Sequence, residues 1–182
     1  GLVGSEMCIR DSSARDFLIA YNINLNTTST RRANAVAFDL REAGRIKREG
    51  GKLSGKILKD KNDNPLRVPG YFKNLKGIGW YIEEYEIAQI SYNITNIKTT
   101  PLHEVFDKTC ERAQKRGMRV TGSELIGLVP KKVLLDAGKF YLAKQKRSRA
   151  IPESEIIHIA VKSLGLDELG SFDPSSRIIE SV

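Results

Sequence analysis

The sequence has little cysteine and little histidine, and this limits the chemistry open to it. Its 182 residues include two cysteines, Cys8 and Cys110, and two histidines, His103 and His158. The cysteines stand far apart in unrelated contexts, so they do not form the disulfide framework of a small secreted domain, and a reducing, cytoplasmic compartment is favoured. With so few ligands of the right type, we expect no zinc site and no other metal centre.

Long apolar runs are also missing. No stretch of about 18 apolar residues occurs, so the sequence predicts no membrane-spanning helix. The net charge of +8 arises largely from two segments, Arg41–Lys76 and Lys131–Arg149. Such a balance is compatible with nucleic acid, anionic lipid or polyanionic small molecules as partners, but lysine-rich loops that only keep a protein soluble explain it equally.

The first residues lack any link to the patterns that follow. The segment GLVGSEMCIRDS, Gly1–Ser12, has Met7 inside it and resembles translated sequencing-adapter text. It has neither the basic start nor the apolar stretch of about 7 residues that a signal peptide needs. We therefore expect residues 1–13 to be a non-native leader, and residues 14–182 to be one domain that lies within a longer protein.

The central pattern is a period of two over Gly77–Thr95, which predicts a β-hairpin that turns at Glu84–Glu86. One face of the hairpin is expected to be apolar and to carry Ile78, Trp80, Ile82, Ala88, Ile90, Tyr92 and Ile94. The opposite face carries Gln89, Ser91 and Asn93, which are polar but uncharged. An ordinary solvent-facing sheet would carry Lys and Glu, so this face suggests a surface that meets a ligand or another domain.

A second strand is predicted over Arg15–Leu25. Its alternation sets Asn22 and Asn24 on one face with Leu18 and Ala20. Asparagine is a poor β-former, so these two side chains either bind a ligand or bond to neighbouring backbone at a strand end. A further strand is predicted over Met118–Val129, where Gly122, Ser123 and Glu124 interrupt the apolar run and supply backbone access and a carboxylate.

Helical spacing predicts four amphipathic helices, which end near Gly44, Gly117, Tyr141 and Gly165. The first carries Arg41 and Arg45 four residues apart at its end, where they complement the helix dipole or bind an anionic ligand. Between the first helix and the hairpin, residues 47–74 form a lysine-rich insertion with Gly and Pro. A small hairpin is predicted within it, over Lys59–Leu66.

The order of these elements predicts the fold class. Strand, helix, strand, strand, helix, strand is the split βαββαβ arrangement called ferredoxin-like, an α+β fold. We expect a four-stranded antiparallel sheet with two helices on one face and two additional helices at the C-terminal end. The other face should then be bare, and its residues should include Asn22, Asn24, Gln89, Ser91 and Asn93.

Several motifs, in order, resemble those of one family. They are FLIAYNINL, LREAGR, GIGWYIEEYEIAQISYNIT, VTGSELIGLVP, LLDAGKFY and LGLDELGSFDPSSRIIE. In this order they resemble the formiminotransferase domain of glutamate formimidoyltransferases, which occurs alone or fused to a cyclodeaminase. The resemblance implies a domain of two ferredoxin-like halves facing each other across a folate tunnel, and this chain resembles the C-terminal half, without the N-terminal subdomain.

The resemblance also implies an activity. The reaction moves a formimidoyl group from N-formimidoyl-L-glutamate to tetrahydrofolate, in histidine degradation, and the folate is the co-substrate. The positive charge of the chain would suit the polyglutamylated form of the folate, whose tail is anionic. The family's general-base histidine belongs to the N-terminal half, so neither His103 nor His158 receives that role. This chain would supply one wall of the site, from its amides, Gly122, Ser123, Glu124 (where relatives can carry Gln) and the basic residues Arg41 and Arg45.

Further partners and alternatives follow from this interpretation. The implied partners are the N-terminal subdomain, folate, glutamate-type small molecules and other copies in a homo-oligomer, without nucleic acid or membrane. An alternative is a non-catalytic ferredoxin-like module that binds RNA, or one that regulates or dimerises by pairing its sheet. RNA binding needs exposed aromatic residues on the central strands, where this sequence has Asn, Gln and Ser.

Overall fold

A computed structural model of the chain describes residues 17–51 and 54–181. The leader predicted for residues 1–13 lies outside these ranges. The strands are β1 Ile19–Leu25, β2 Arg45–Ile46, β3 Arg67–Val68, β4 Leu75–Ile82, β5 Ile87–Ile94 and β6 Val120–Ile126. The helices are α1 Thr30–Leu40, α2 Leu102–Gln114, α3 Lys131–Lys144, α4 Glu153–Leu164 and the short α5 Pro174–Arg177. No helix in the described part of the chain has the length and apolar character to cross a bilayer.

The main sheet has the strand order β4-β5-β1-β6, and every neighbouring pair is antiparallel. Helix α1 lies between β1 and β4 in the chain, and α2 lies between β5 and β6. This is the predicted ferredoxin-like arrangement, and the predicted fold class is confirmed. The two additional helices are also present. They pack closely, because Gly138 of α3 brings its Cα against the backbone carbonyl of Ile156 in α4.

The hydrophobic core lies between the sheet and the helices. Ile19, Tyr21, Ile23 and Leu25 of β1 are at most 2% exposed, as their shared face predicts. The buried tyrosine hydroxyls of this core are bonded. Tyr21 donates to Ser123 Oγ at 2.8 Å, and the Tyr92 hydroxyl lies 3.1 Å from Thr109 Oγ1. Burial raises the pKa of both phenols, so each stays neutral.

Two glycines of β4 determine how closely α1 approaches the sheet. A Cβ at Gly79 would lie 2.5 Å from the backbone nitrogen of Asn34, and one at Gly77 would lie 2.7 Å from the Tyr92 ring. Asn34 also bonds the strand directly. Its Oδ1 accepts from Gly79 N at 2.9 Å, and its Nδ2 donates to the Gly79 carbonyl at 3.1 Å. Because β4 is an edge strand, this side chain takes the place of a neighbouring strand at that residue.

The prediction that Ile78 and Trp80 belong to the core face was wrong. They pair across the strands with Ser91 and Gln89, and are 58% and 45% exposed. The alternation of side chains within β4 was predicted correctly, but the set of residues that faces the helices was not. The α1 backbone at Gly79 and the Tyr92 ring at Gly77 leave no room for a side chain on the helix side, so the large residues of β4 point away from the helices.

The first helix ends at Leu40, four residues before the predicted stop at Gly44. Arg41 already has an extended backbone, with φ −64° and ψ 147°. Arg45 belongs to β2, so the two arginines do not share a helix face as predicted. The insertion that follows is ordered as a ribbon in its described part. β2 pairs with β3, and the predicted small hairpin is confirmed by a bridge between Lys59 and Pro65.

Replacing Gly79 with alanine should destabilise the fold, because the added Cβ collides with the backbone of α1. We expect the free energy of unfolding to fall by about 1–3 kcal/mol. The measurement is urea denaturation of the purified chain. The matched control is Gly170→Ala, because a Cβ there meets nothing within 4 Å. Equal stability of the two variants would contradict the close approach of α1.

Candidate functional site

The face of the main sheet that points away from α1 and α2 is called the open face here. The strand registers arrange its residues in rows that cross β4, β5, β1 and β6 in turn. The first row is Lys76, Asn93, Ala20, Ile126. The second is Ile78, Ser91, Asn22, Glu124, and the third is Trp80, Gln89, Asn24, Gly122. The two central strands therefore present five polar, uncharged side chains and one alanine.

The third row contains a bonded polar network. Gln89 Nε2 donates to Asn24 Oδ1 at 2.7 Å, and Asn24 Nδ2 donates to Glu168 Oε2 at 2.5 Å. Gln89 and Asn24 are 1% and 0% exposed. A buried amide without a partner is costly, and these bonds satisfy part of what both amides need. The network fixes the amides at one end of the open face.

Glu168 reaches the open face because the chain after α4 crosses the edge of β6. Gly165 ends the helix in the left-handed region, with φ 59°. Its carbonyl accepts from Ser123 N at 2.9 Å. Gly122 makes the crossing possible, since a Cβ there would lie 2.6 Å from Glu168 Cβ and 2.8 Å from the Gly165 carbonyl. The predicted backbone access at Gly122 is thus used by the chain itself.

The second row has polar side chains that the protein leaves unbonded. Asn22 is 5% exposed, yet its amide forms no hydrogen bond with other described residues. The same holds, within that part of the chain, for the side chains of Ser91, Asn93 and Glu124. Together they offer amide donors and acceptors, a hydroxyl and a carboxylate. Apolar side chains flank them on the outer strands: Ile78, Trp80 and Ile126.

Most of the predicted site residues share this face. Asn22, Asn24, Gln89, Ser91, Asn93, Gly122 and Glu124 all lie in its rows. Ser123 does not. It pairs with Ile23 on the helix side, is 1% exposed, and donates to the Leu164 carbonyl at 2.6 Å. Its contacts hold α4 to the core, and they give its side chain no access to the open face.

The two predicted arginines lie beyond the β4 edge. Arg41 donates from Nε to the Gly44 carbonyl at 3.0 Å and from Nη1 to the Gly77 carbonyl at 3.3 Å. It lines a surface hollow of about 590 Å³ together with Lys76 and Asn93, so it reaches the rim of the open face. Arg45 forms an ion pair with Asp39 on the helix side and does not reach this hollow.

Three residues of the open face, Ile78, Trp80 and Glu168, were missed from the sequence. Ile78 and Trp80 were assigned to the core, and only the position of α1 reveals their side. Glu168 has no periodic signal, since it lies in the loop after α4 and reaches Asn24 through a tertiary crossing. Its presence in the segment LGLDELG was the one available indication.

Neither histidine belongs to the open face. His103 is in α2 and stacks on the Phe140 ring at 4.5 Å between centroids. Burial lowers the pKa of His103, since desolvation outweighs the nearby carboxylates. His158 is exposed on α4 and lines a small separate hollow with Asp167.

The open face does not have the pattern of an RNA-binding sheet. Such sheets stack bases on aromatic residues of the central strands. Here β5 and β1 present Gln89, Ser91, Asn93, Asn22 and Asn24, and the exposed Trp80 lies on the edge strand. The RNA alternative therefore gains no support from the geometry.

Comparison with known families identifies this chain's relatives. A family model described as the formiminotransferase domain matches residues 20–182. The chain belongs to the formiminotransferase domain family. This membership agrees with the resemblance stated from the ordered motifs.

Curated relatives of this formiminotransferase-family chain include two kinds of protein. It is 43% identical over 169 residues to the formimidoyltransferase-cyclodeaminase of Gallus gallus, which covers 93% of this chain and 27% of the relative. It is 32% identical over 129 residues to the glutamate formimidoyltransferase of Streptococcus pyogenes, which covers 71% of this chain and 35% of the relative. The chain spans about a quarter to a third of the length of these relatives.

Removing the carboxylate of Glu168 should leave the buried Asn24 amide without its acceptor. We expect Glu168→Ala to lower the free energy of unfolding by about 1–3 kcal/mol. Urea denaturation measures this. Glu84→Ala is the control, because Glu84 is exposed, as Glu168 is, but lies in the β4–β5 turn, and its side chain forms no hydrogen bond with other described residues. If both variants unfold at the same urea concentration, Glu168 does not stabilise the network.

Proposed function

We propose that this chain is part of a folate-dependent glutamate formimidoyltransferase and that its open face forms one wall of the folate site. The reaction moves the formimidoyl group from N-formimidoyl-L-glutamate to N5 of tetrahydrofolate and releases glutamate. Membership of the family supports the reaction class, and the names of the relatives support the group that is moved. The main observation in support of a folate-binding wall is the set of unbonded polar side chains in the second row.

The chemistry of these rows matches a pterin. A pterin is a flat heterocycle whose edge alternates N–H donors with nitrogen and oxygen acceptors. The Asn22 and Asn93 amides can serve both kinds of group, since each has two donors and an acceptor. Trp80 and Ile78 provide apolar surface beside the amides, which favours contact with the ring face. Small-molecule sites commonly combine an apolar wall with a few fixed polar groups in this way.

Glu124 suits the donor substrate in one orientation. A formimidoyl group on nitrogen is an amidine, which carries a positive charge at neutral pH and presents two N–H groups side by side. A carboxylate pairs with such a planar cation through two parallel hydrogen bonds. Glu124 would repel the carboxylates of the same substrate, so we propose that it binds the amidine nitrogens. Arg41, at the rim, is placed to attract the carboxylates instead.

The remaining partners belong to the same proposal. The face is too open to enclose a ligand, so a second wall has to come from another part of the protein. We propose the N-terminal subdomain as that wall and as the source of the general base. We also propose that the protein forms a homo-oligomer and that it is cytoplasmic. Cys110 is a free thiol, which is compatible with a reducing compartment.

The transferase activity should require both halves of the site. We expect the 182-residue chain alone to give no turnover, because its histidines do not lie on the open face. A chimera, in which this chain replaces the matching segment of the Gallus gallus relative, should be active. The measurement is formation of 5-formimidoyltetrahydrofolate from the two substrates. Turnover by the chain alone would contradict this division, and a folded but inactive chimera would count against the proposed function.

Folate affinity should depend on the unbonded amides. In the active chimera, Asn22→Ala and Asn93→Ala should each weaken binding of 5-formyltetrahydrofolate about three- to tenfold, the cost of one lost hydrogen bond. Stability should change by less than about 0.5 kcal/mol, since neither amide is bonded within the described residues. Calorimetry and thermal unfolding measure the two effects. Gln114→Ala, on the helix side, is the control, and unchanged affinity with reduced stability would assign the amides to the fold.

A further inference from the structure

A second cavity lies on the opposite side of the β4 edge, between α1 and the ribbon formed by β2 and β3. Its volume is about 700 Å³, within the range of small-molecule sites. Helical spacing brings Arg31, Ala35 and Phe38 of α1 onto the face that lines it. Six cationic side chains also line the cavity: Arg31, Arg41, Arg45, Lys47, Arg48 and Arg67.

These cations are poorly neutralised by the protein. Of the six, Arg45 is the one that forms an ion pair in the described part of the chain, with Asp39. Asp39 is shared, because Arg116 also contacts it at 2.5 Å. The pKa of Arg41 is lowered, first by burial and second by the neighbouring charge of Arg67. Like charges are therefore held together, a state that a bound anion would stabilise.

Backbone carbonyls fix four of the five guanidinium groups, those of Arg41, Arg45, Arg48 and Arg67, without using all their donors. Arg41 spends two of its five N–H groups on the Gly44 and Gly77 carbonyls. Its carbon Cζ lies 3.8 Å from the centroid of the Phe38 ring. Arg67 donates from Nη1 to the Ala43 carbonyl at 3.3 Å. A guanidinium held in this way is suited to paired hydrogen bonds with a phosphate or a carboxylate.

The wall between the cations is apolar. Ala35 and Phe38 of α1 face Ile46 and Val68 of the ribbon across the cavity. A bare inorganic ion would leave this surface exposed to water, whereas an organic ligand would cover it. The cavity thus pairs several positive charges with a hydrophobic surface.

We propose that the cavity between α1 and the β2–β3 ribbon binds a small organic anion that carries two or more phosphate or carboxylate groups. The site lies on the other side of the β4 edge from the open face and, among the described residues, shares only Arg41 with the hollow at its rim, so the proposal stands whether or not the chain takes part in formimidoyl transfer. The cations bind the anionic groups, and the apolar wall covers the organic part.

Calorimetry of the 182-residue chain in about 150 mM sodium chloride, which screens loose attraction, tests the site. The probes are ATP, inorganic tripolyphosphate and citrate. We expect ATP to bind at one saturable site and more tightly than tripolyphosphate, because it also covers the apolar wall. Citrate binding of similar strength would identify carboxylates as the recognised groups, and binding of ATP without citrate would identify phosphates. Either result supports the proposal.

The decisive comparison uses two double variants that remove equal charge. Arg31→Gln with Arg67→Gln should weaken ATP binding by at least about tenfold. Arg119→Gln with Arg149→Gln, two arginines outside the cavity, should change it by less than about twofold. Circular dichroism checks that each variant folds. If the first does not, Lys47→Gln should still weaken binding by about threefold.

Three results would overturn the proposal. One is the absence of saturable binding for all of the probes. Another is an equal loss of affinity in the two double variants, which would show attraction to overall charge. The third is tripolyphosphate binding as tight as that of ATP, which would show that the apolar wall contributes nothing.

Discussion

The contacts of Gly77 and Gly79 determine which side of the sheet is buried. Because the backbone of α1 lies against Gly79 and the Tyr92 ring lies against Gly77, β4 has no side chain to offer the core at those positions. Its large residues, Ile78 and Trp80, must then face outward beside the polar side chains of β5. Asn34 secures this arrangement by bonding both backbone groups of Gly79 at the sheet edge. The composition of the open face therefore follows from a backbone contact on the other side.

Polar groups on both faces of the sheet differ in how fully the protein bonds them. On the helix side, Tyr21 is bonded to Ser123 and Tyr92 to Thr109. Elsewhere in the described residues, Arg112 Nε and Thr121 Oγ1 are buried without a hydrogen-bond partner. On the open face, Asn24 and Gln89 are bonded to each other, whereas Asn22 remains unbonded among the described residues. Such an amide adds little to stability, since a strand favours β-branched residues. It therefore supports the proposed ligand-binding role of the open face.

Much of the fold followed from periodicity, and the errors had common physical causes. The two-residue period of apolar side chains correctly assigned the residues of β1 and β5 to the two faces of the sheet, because each strand has one clearly apolar side. In β4 the side with Ile78 and Trp80 was more apolar, but burial was decided by the space that Gly77 and Gly79 leave for α1. The reach of Glu168 to Asn24 depends on a crossing at Gly122, which no local pattern reveals. Arg41 and Arg45 do not share a helix face as predicted, because the helix ends at Leu40.

The two proposed ligand surfaces differ in their physical basis, although they meet at one residue. The open face is proposed to recognise uncharged polar edges by short-range hydrogen bonds, which salt hardly affects. The proposed anion site beside the ribbon relies on cations of which most lack a carboxylate partner among the described residues, and salt screens this attraction. Arg41 lines both the cavity and the hollow at the rim of the open face. Its bond to the Gly77 carbonyl ties it to the same strand that α1 positions. An anion bound at the ribbon would reduce the positive potential at Arg41, and so weaken the attraction of carboxylates at that rim.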